Sequence, residues 1–317
     1  MIDYKILKQK LELLEKGTVV LIAGHKNADY DSITSCLALS YILSKLGYVS
    51  YVLLEDKDLD KTNWLNTTPV ITSYLSDKPF NFLMLDADRK ERLGSFQKLF
   101  DAAETTITID HHEANKNEAT YTFVDEKISS TAEIIANLAK EFPGILDKNI
   151  ATLLYAGIVS DTSSFYKRTT PSTMKIASTL LEYDVDNSFV IKNTTKNISL
   201  REATILSHMF ANLVYDEFHY IIVDRKEEIF THVPYGVLFK KCASYIYEIR
   251  DIDVFGLFVI ELDGSVSGLL RSNCETDVDE LARSMGGGGH KKAAGFEINL
   301  GIECIIGNVK KYLHSQS

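Results

Sequence analysis

Short apolar runs alternate with stretches of helical period through the first half of the chain. Thr18–Ala23 (TVVLIA), Val49–Leu54 (VSYVLL), Phe80–Leu85 (FNFLML) and Thr105–Ile109 (TTITI) are rich in β-branched and aliphatic residues, the composition of strands buried on both faces. Between and after them, Ser32–Leu46, Arg92–Ala103, Ala132–Glu141 and Lys148–Val159 carry apolar residues at helical spacing. This alternation predicts an α/β domain, a mostly parallel sheet with helices on both faces. Ser130-Thr131-Ala132-Glu133 has the form of a capping box, which accounts for Ser130 and Glu133 without a catalytic role.

Beyond about residue 185 the pattern changes. Asp186–Arg201 is polar and rich in Asn and Thr, the composition of a linker. A helix then leads into strand-like runs at Tyr220–Val223, Val254–Leu262 and Val266–Leu270, the last reached through the hairpin signal Asp263-Gly264. A helix near Val278–Met285 precedes four consecutive glycines. The expected organisation is a domain over 1–185, a linker over 186–205 and a smaller mixed α+β domain over 206–317.

Composition narrows the function. A chain of 317 residues, 45% hydrophobic, is long enough for two cores. No apolar run approaches the roughly 18 residues of a membrane span, and lysines and acids interrupt the amphipathic amino-terminal segment, so a cytoplasmic protein is expected. Cys36, Cys242, Cys274 and Cys304 form no ligand spacing and read as buried free thiols. A net charge of −10 opposes binding to long nucleic acid, which rests on many Lys and Arg contacts, but permits a small polyanionic substrate beside bound cations.

The candidate chemistry stands at strand ends. Gly24-His25-Lys26-Asn27-Ala28-Asp29-Tyr30-Asp31-Ser32 follows the first strand, Asp86-Ala87-Asp88 ends the third and Asp110-His111-His112 ends the fourth, while Asp161 lies in AGIVSDT on a helix. Ligands of open α/β sheets bind at the carboxyl ends of strands. So many carboxylates at one edge repel one another unless cations compensate. A mixed Asp and His set without thiolate suits Mn²⁺ or Mg²⁺, with the imidazoles favouring Mn²⁺. Two ions about 4 Å apart would clamp the attacking and leaving oxygens of phosphoryl transfer. In the second domain, Gly286–Gly289 can expose backbone N–H groups to an anion, with His290, Lys291 and Lys292 adding positive charge; a flexible loop is the competing reading. Arg271-Ser272 offers a planar phosphate clamp, against a plain surface ion pair.

These residues resemble the DHH phosphoesterase superfamily. The resemblance rests on GHKNADYDS, Asp86, the Asp110-His111-His112 triplet, AGIVSDTSSF and the later GGGGHKKAAGF, which is similar to the signature of a DHH-associated substrate-binding domain. ERLG (Glu91–Gly94), DHHEAN (Asp110–Asn115) and the glycine signature are closest to the nanoRNase/pAp-phosphatase branch, whose members degrade very short RNAs and remove the 3′-phosphate of adenosine 3′,5′-bisphosphate. Ala28 stands where the family usually has proline. The resemblance implies His25, Asp29 and Asp86 at one metal and Asp31, Asp86, His111 and Asp161 at the other, with Asp86 bridging and Asp88 able to assist. It implies that Asp110 orients His111; His112, adjacent to these ligands, is expected to stabilise phosphoryl oxygens or protonate the leaving oxygen, against a role in orienting a ligand. Arg271, Ser272, Gly287, Gly288, Gly289 and His290 would hold the substrate, a short oligonucleotide or nucleotide, and a homodimer rests on the resemblance alone. Two other functions stay open: a phosphodiesterase acting on cyclic-di-AMP or linear dinucleotides, and a non-catalytic nucleotide sensor.

Overall fold

A computed structural model describes residues 2–55, 58–59, 62–65, 70–112, 119–195, 198–230, 235–247 and 249–316. The chain divides into two compact units, Met1–Asn197 and Ile198–Ser317.

The first unit runs α1 (Tyr4–Glu12), β1 (Val19–Ala23), α2 (Tyr30–Lys45), β2 (Ser50–Leu53), β3 (Val70–Ile71), β4 (Phe80–Leu85), α3 (Gln97–Ala102), β5 (Thr105–Asp110), β6 (Tyr121–Val124), α4 (Thr131–Ala139), α5 (Lys148–Asp161), α6 (Pro171–Leu181) and α7 (Asn187–Thr194). Its six strands form one sheet in the order β3-β2-β1-β4-β5-β6, every pairing parallel. Alternate residues of a strand face opposite sides. Accordingly Val20 and Ile22 enter a core shared with α2, α4 and α5, while Leu21 and Ala23 enter a second core with Phe96 and Phe100. The chain moves outward from β1 through β2 to β3, then returns to place β4 on the other side of β1. That reversal opens a crevice at the carboxyl ends of β1 and β4.

The second unit runs α8 (Leu200–Ala211), β7 (Val214–Tyr215), β8 (His219–Asp224), α9 (Tyr235–Tyr247), β9 (Val254–Ile260), β10 (Val266–Ser272), α10 (Val278–Ser284), β11 (Gly288–His290), β12 (Ala293–Ile298) and α11 (Ile302–Gln316). Its sheet has the order β11-β12-β10-β9-β8-β7; only the β8–β9 pairing is parallel among the described strands. One face packs on α8 and α9, the other on α10 and α11. The expected hairpin at Asp263-Gly264 joins β9 to β10, with Gly264 at φ +89.

Residues 186–205, read from composition as a linker, hold α7 and the start of α8. Some of the polar residues there cap helices: Asp186 accepts the Phe189 N–H at 2.9 Å, and Ser199 and Glu202 form a reciprocal capping box. Val190 is buried against the first unit's core. The capping box expected at α4 is only half formed. Ser130 accepts the Glu133 N–H, but the Glu133 carboxylate takes the N–H and hydroxyl of Ser129 and the hydroxyl of Thr173. All four cysteines are free; Cys36 and Cys242 are buried, Cys274 is half-buried, and Cys304 is exposed because it lies on the outer side of α11. No helix among the described residues is long and apolar enough to cross a membrane.

Candidate metal centre

Three adjacent parallel strands and three helix ends build the centre. His25 lies just past β1, Asp86 just past β4, and Asp110 closes β5 with His111 and His112 following. Asp29 caps α2, accepting the Ser32 N–H at 3.1 Å, and Asp31 sits in that helix's first turn. Asp161 is the last residue of α5, and α4 points its amino terminus at Asp31. Asp86 holds its backbone at φ +57, a left-handed conformation that carries an ordinary cost of about 1–3 kcal/mol and persists where surrounding structure enforces it. Its N–H is anchored on the Ile109 carbonyl of β5.

Six predicted side chains meet there. Asp86 offers one oxygen to each side: Oδ2 is 3.5 Å from His25 Nε2, and Oδ1 is 3.3 Å from His111 Nε2. Asp29 Oδ2 is 3.7 Å from His25 Nε2, while Asp161 Oδ2 and Asp31 Oδ2 lie 3.5 and 4.0 Å from His111 Nε2. Three sets of ligand atoms are close enough to share an ion: His25, Asp29 and Asp86; Asp31, His111 and Asp161; and Asp86, His111 and His112. Asp88 is in none of these sets among the described residues; it faces Arg89 and Arg92 instead.

Electrostatics shows that this cluster suits a cation. Asp31 is 1% exposed, and burial, followed by the charges of Asp86, Asp161 and Asp29, lifts its carboxyl well above the usual range. Burial likewise pushes Asp161 up to about 6, aided by Asp86 and Asp29 and opposed by His111 and Arg168. Asp161 Oδ2 is buried with no hydrogen-bond partner among the described residues. His25 Nδ1 lies 2.9 Å from the Lys26 carbonyl, which can only accept, so the proton sits on Nδ1 and Nε2 is left for a cation. Burial lowers the affinity of His25 for a second proton, but Asp29 and Asp86 outweigh it and the net shift is upward. Proton and metal would compete for one place. The oxygen and nitrogen donors without thiolate fit Mn²⁺ or Mg²⁺.

Asp110 bonds differently from the expectation. Its Oδ1 accepts the His112 Nδ1–H at 2.7 Å and the His111 backbone N–H at 2.8 Å, so it reaches His111 through the main chain and grips the ring of His112. That hydrogen bond raises the His112 pKa, against the lowering effect of burial. Contact with the ring of His111 comes from Arg168, whose Nη2 is 3.2 Å from Nδ1. Sequence reasoning missed Arg168, which arrives through a turn in which Ser163, Ser164 and Phe165 all have positive φ. It also missed Thr131, whose hydroxyl donates to Asp86 Oδ1. Glu113, Ala114 and Asn115 of the DHHEAN motif lie outside the described residues.

The substrate candidates all lie in the second unit, and two expectations about them change. Gly286–Gly289 is neither an open nest nor a loop. Gly286, at φ +82, and Gly287 donate to the Arg283 and Ala282 carbonyls and end α10 in a Schellman turn. Gly288 and Gly289 then form β11, where a Cβ at Gly289 would come within 2.5 Å of the Ala293 carbonyl oxygen. The Gly289 N–H is taken by Asp279 Oδ1 at 2.6 Å. Arg271 and Ser272 are not a joint clamp, because neighbours on a strand face opposite ways. Ser272 is fully buried and donates to the Cys274 carbonyl at 3.1 Å. Arg271, by contrast, pairs across β10 with Ala293, which pairs with His290 on β11. Arg271 and His290 therefore share a face, separated by one small side chain.

Residues 19–158 match the DHH family, N-terminal domain, and residues 238–313 match the DHHA1 domain. The chain therefore carries a DHH-family N-terminal domain followed by a DHHA1 domain. Among its relatives, a probable bifunctional oligoribonuclease and PAP phosphatase from Streptococcus mutans is 26% identical, the alignment covering 93% of each chain. A cyclic-di-AMP phosphodiesterase of Listeria monocytogenes is 24% identical over 98% of this chain and 49% of its own length. A membrane protein–ribosomal subunit fusion of aster yellows witches'-broom phytoplasma is 24% identical over 96% of this chain, which spans only 38% of that protein. The crystal structure of an exopolyphosphatase-related protein from Bacteroides fragilis has the same fold, with a TM-score of 0.83 at 19% identity over 98% of this chain and 95% of that one.

Proposed function

We propose that this protein is a two-metal phosphoesterase that hydrolyses short oligoribonucleotides and the 3′-phosphate of adenosine 3′,5′-bisphosphate. The observation that carries the reading is the split of Asp86, with Oδ2 facing His25 and Oδ1 facing His111, beside two acids, Asp31 and Asp161, whose carboxyls burial and neighbouring carboxylates push up. Two divalent ions, Mn²⁺ favoured over Mg²⁺, would supply Lewis acidity and an activated water at neutral pH. His25, Asp29 and Asp86 would hold one; Asp31, Asp86, His111 and Asp161 would hold the other.

His112 is the proton carrier. Asp110 fixes its Nδ1 and raises its pKa, which leaves Nε2 to donate to the leaving oxygen. In the second unit, Arg271 and His290 flank Ala293 across three strands, about 10 Å apart by ordinary strand spacing, and would seat the anionic end of a nucleotide.

The test is a panel of adenosine 3′,5′-bisphosphate, a linear ribodinucleotide, cyclic-di-AMP and a long single-stranded RNA, each with Mn²⁺ and with Mn²⁺ plus chelator. Release of phosphate from the first and mononucleotides from the second, faster than cleavage of the others and abolished by chelator, is expected. No turnover of any substrate by protein carrying two ions would overturn the reading in favour of a nucleotide sensor. The Listeria relative's name favours a second reading, a cyclic-dinucleotide phosphodiesterase, which faster cleavage of cyclic-di-AMP would select.

A further inference from the structure

The corner between Asp31, Asp86 and the first turn of α4 is tied by hydrogen bonds: Asp31 takes two of the helix's first N–H groups, and the Thr131 hydroxyl adds a bond that the helix backbone does not need. Ser130 already caps α4 by accepting the Glu133 N–H at 3.1 Å. Thr131, the next residue, is fully buried and bonds two acids at once. Its N–H donates to Asp31 Oδ2 at 2.7 Å, and its hydroxyl donates to Asp86 Oδ1 at 3.2 Å. Ala132 N–H and Ser35 Oγ hold the other Asp31 oxygen at 2.9 and 3.2 Å.

The hydroxyl matters because of what the Asp86 carboxylate has to do. The terminal torsion of an aspartate is broad, so nothing intrinsic decides which oxygen faces which imidazole. Among the described residues, the hydrogen bond that fixes this rotation is the one from Thr131. It lands on Oδ1, the oxygen facing His111, and leaves Oδ2 towards His25.

We infer that Thr131 is a positioning residue for one half of the metal centre: its N–H fixes Asp31 and its hydroxyl fixes Asp86 Oδ1, the two carboxylate contacts beside His111 and Asp161. The His25, Asp29 and Asp86 Oδ2 set takes no bond from it. This inference rests on the two-metal reading above. It gives the hydroxyl a selective effect, since loss of an outer hydrogen-bond partner typically weakens metal binding about 10–100-fold, here at one of two sites.

The test is calorimetric titration of metal-free full-length protein with Mn²⁺, with Mn²⁺ electron paramagnetic resonance to detect ion pairs, for wild type, Thr131→Val and Thr131→Ser. Valine keeps the N–H and the volume but removes the hydroxyl. Wild type should take up two ions. Thr131→Val should bind one ion as wild type does and the second about 10–100-fold more weakly, with the paired-ion signal delayed to higher Mn²⁺. Thr131→Ser should restore both. Two wild-type affinities in Thr131→Val, equal weakening of both sites, or failure of serine to rescue would each overturn the assignment and leave the two-metal reading standing. Fewer than two ions on wild type would overturn that reading itself. If Thr131→Val does not fold, Thr131→Ala carries the same expectations and the same ways to fail.

Discussion

Asp161 is the side chain through which pH should act on the centre. Burial, first among its causes, raises its carboxyl to about 6, whereas an unfolded chain releases that proton near pH 3.9. Between those values the metal-free folded state binds more protons than the unfolded one, so this group makes the fold less stable as pH rises from about 4 to about 6. Asp161→Asn should flatten that part of the curve in thermal denaturation of chelator-treated protein. An unchanged slope would show that Asp161 is not the group responsible. Asp31, raised well above its usual value by burial and neighbouring charges, keeps the slope from vanishing. The same protons compete with a cation, so Mn²⁺ affinity should decline as pH falls below about 6, as calorimetry at several pH values can check. Asp86→Ala removes the oxygens directed at both imidazoles and should abolish both Mn²⁺ uptake and turnover. Wild-type activity in that variant would rule out the mechanism.

At the level of elements, Gly157 decides how closely α5 approaches its neighbours. A Cβ there would lie 2.5 Å from Ala132 Cβ and 2.8 Å from both Asp31 Oδ1 and Thr34 Oγ1. The bare backbone of α5 is what lets α4 reach Asp31 with its first N–H groups. Gly157→Ala should therefore cost about 1–3 kcal/mol through overpacking and weaken Mn²⁺ binding as well. Denaturant titration and calorimetry measure the two effects, and an unaltered midpoint would mean the helices have room to spare. The sequence made the central strands legible because β1, β4 and β5 are buried on both faces and end in the acids and imidazoles that meet in the crevice. Edge strand β6 is only half-buried, so its pattern carries no such mark. The run at β11 reads as loop because glycine carries no strand signal; its pairing with β12 exists only in three dimensions. Arg168 was invisible for a similar reason, since three non-glycine residues with positive φ are not announced by their types.

Across the whole molecule, each of the four clusters of buried apolar residues lies entirely within one unit, either before Asn197 or after Ile198. Composition placed a linker over 186–205, where the chain forms α7 and the start of α8, because caps such as Asp186 and the polar residues of a short surface helix look like loop in one dimension. Each unit has apolar clusters of its own, and apolar burial is the dominant favourable contribution to folding. The candidate metal ligands all belong to the first unit, whereas Arg271 and His290 belong to the second. A fragment of residues 1–197 should therefore unfold cooperatively and bind Mn²⁺ with the affinities of the full chain. Its kcat/KM for adenosine 3′,5′-bisphosphate should collapse, because the residues proposed to seat the anionic end of the nucleotide are missing. In the full chain, Arg271→Ala should raise KM with little change in kcat, the signature of binding equally strong in ground and transition states. If the fragment hydrolyses the bisphosphate as well as the full chain does, the second unit has no part in gripping that substrate. A fall in kcat alone for Arg271→Ala would instead place that side chain's contribution in the chemical step.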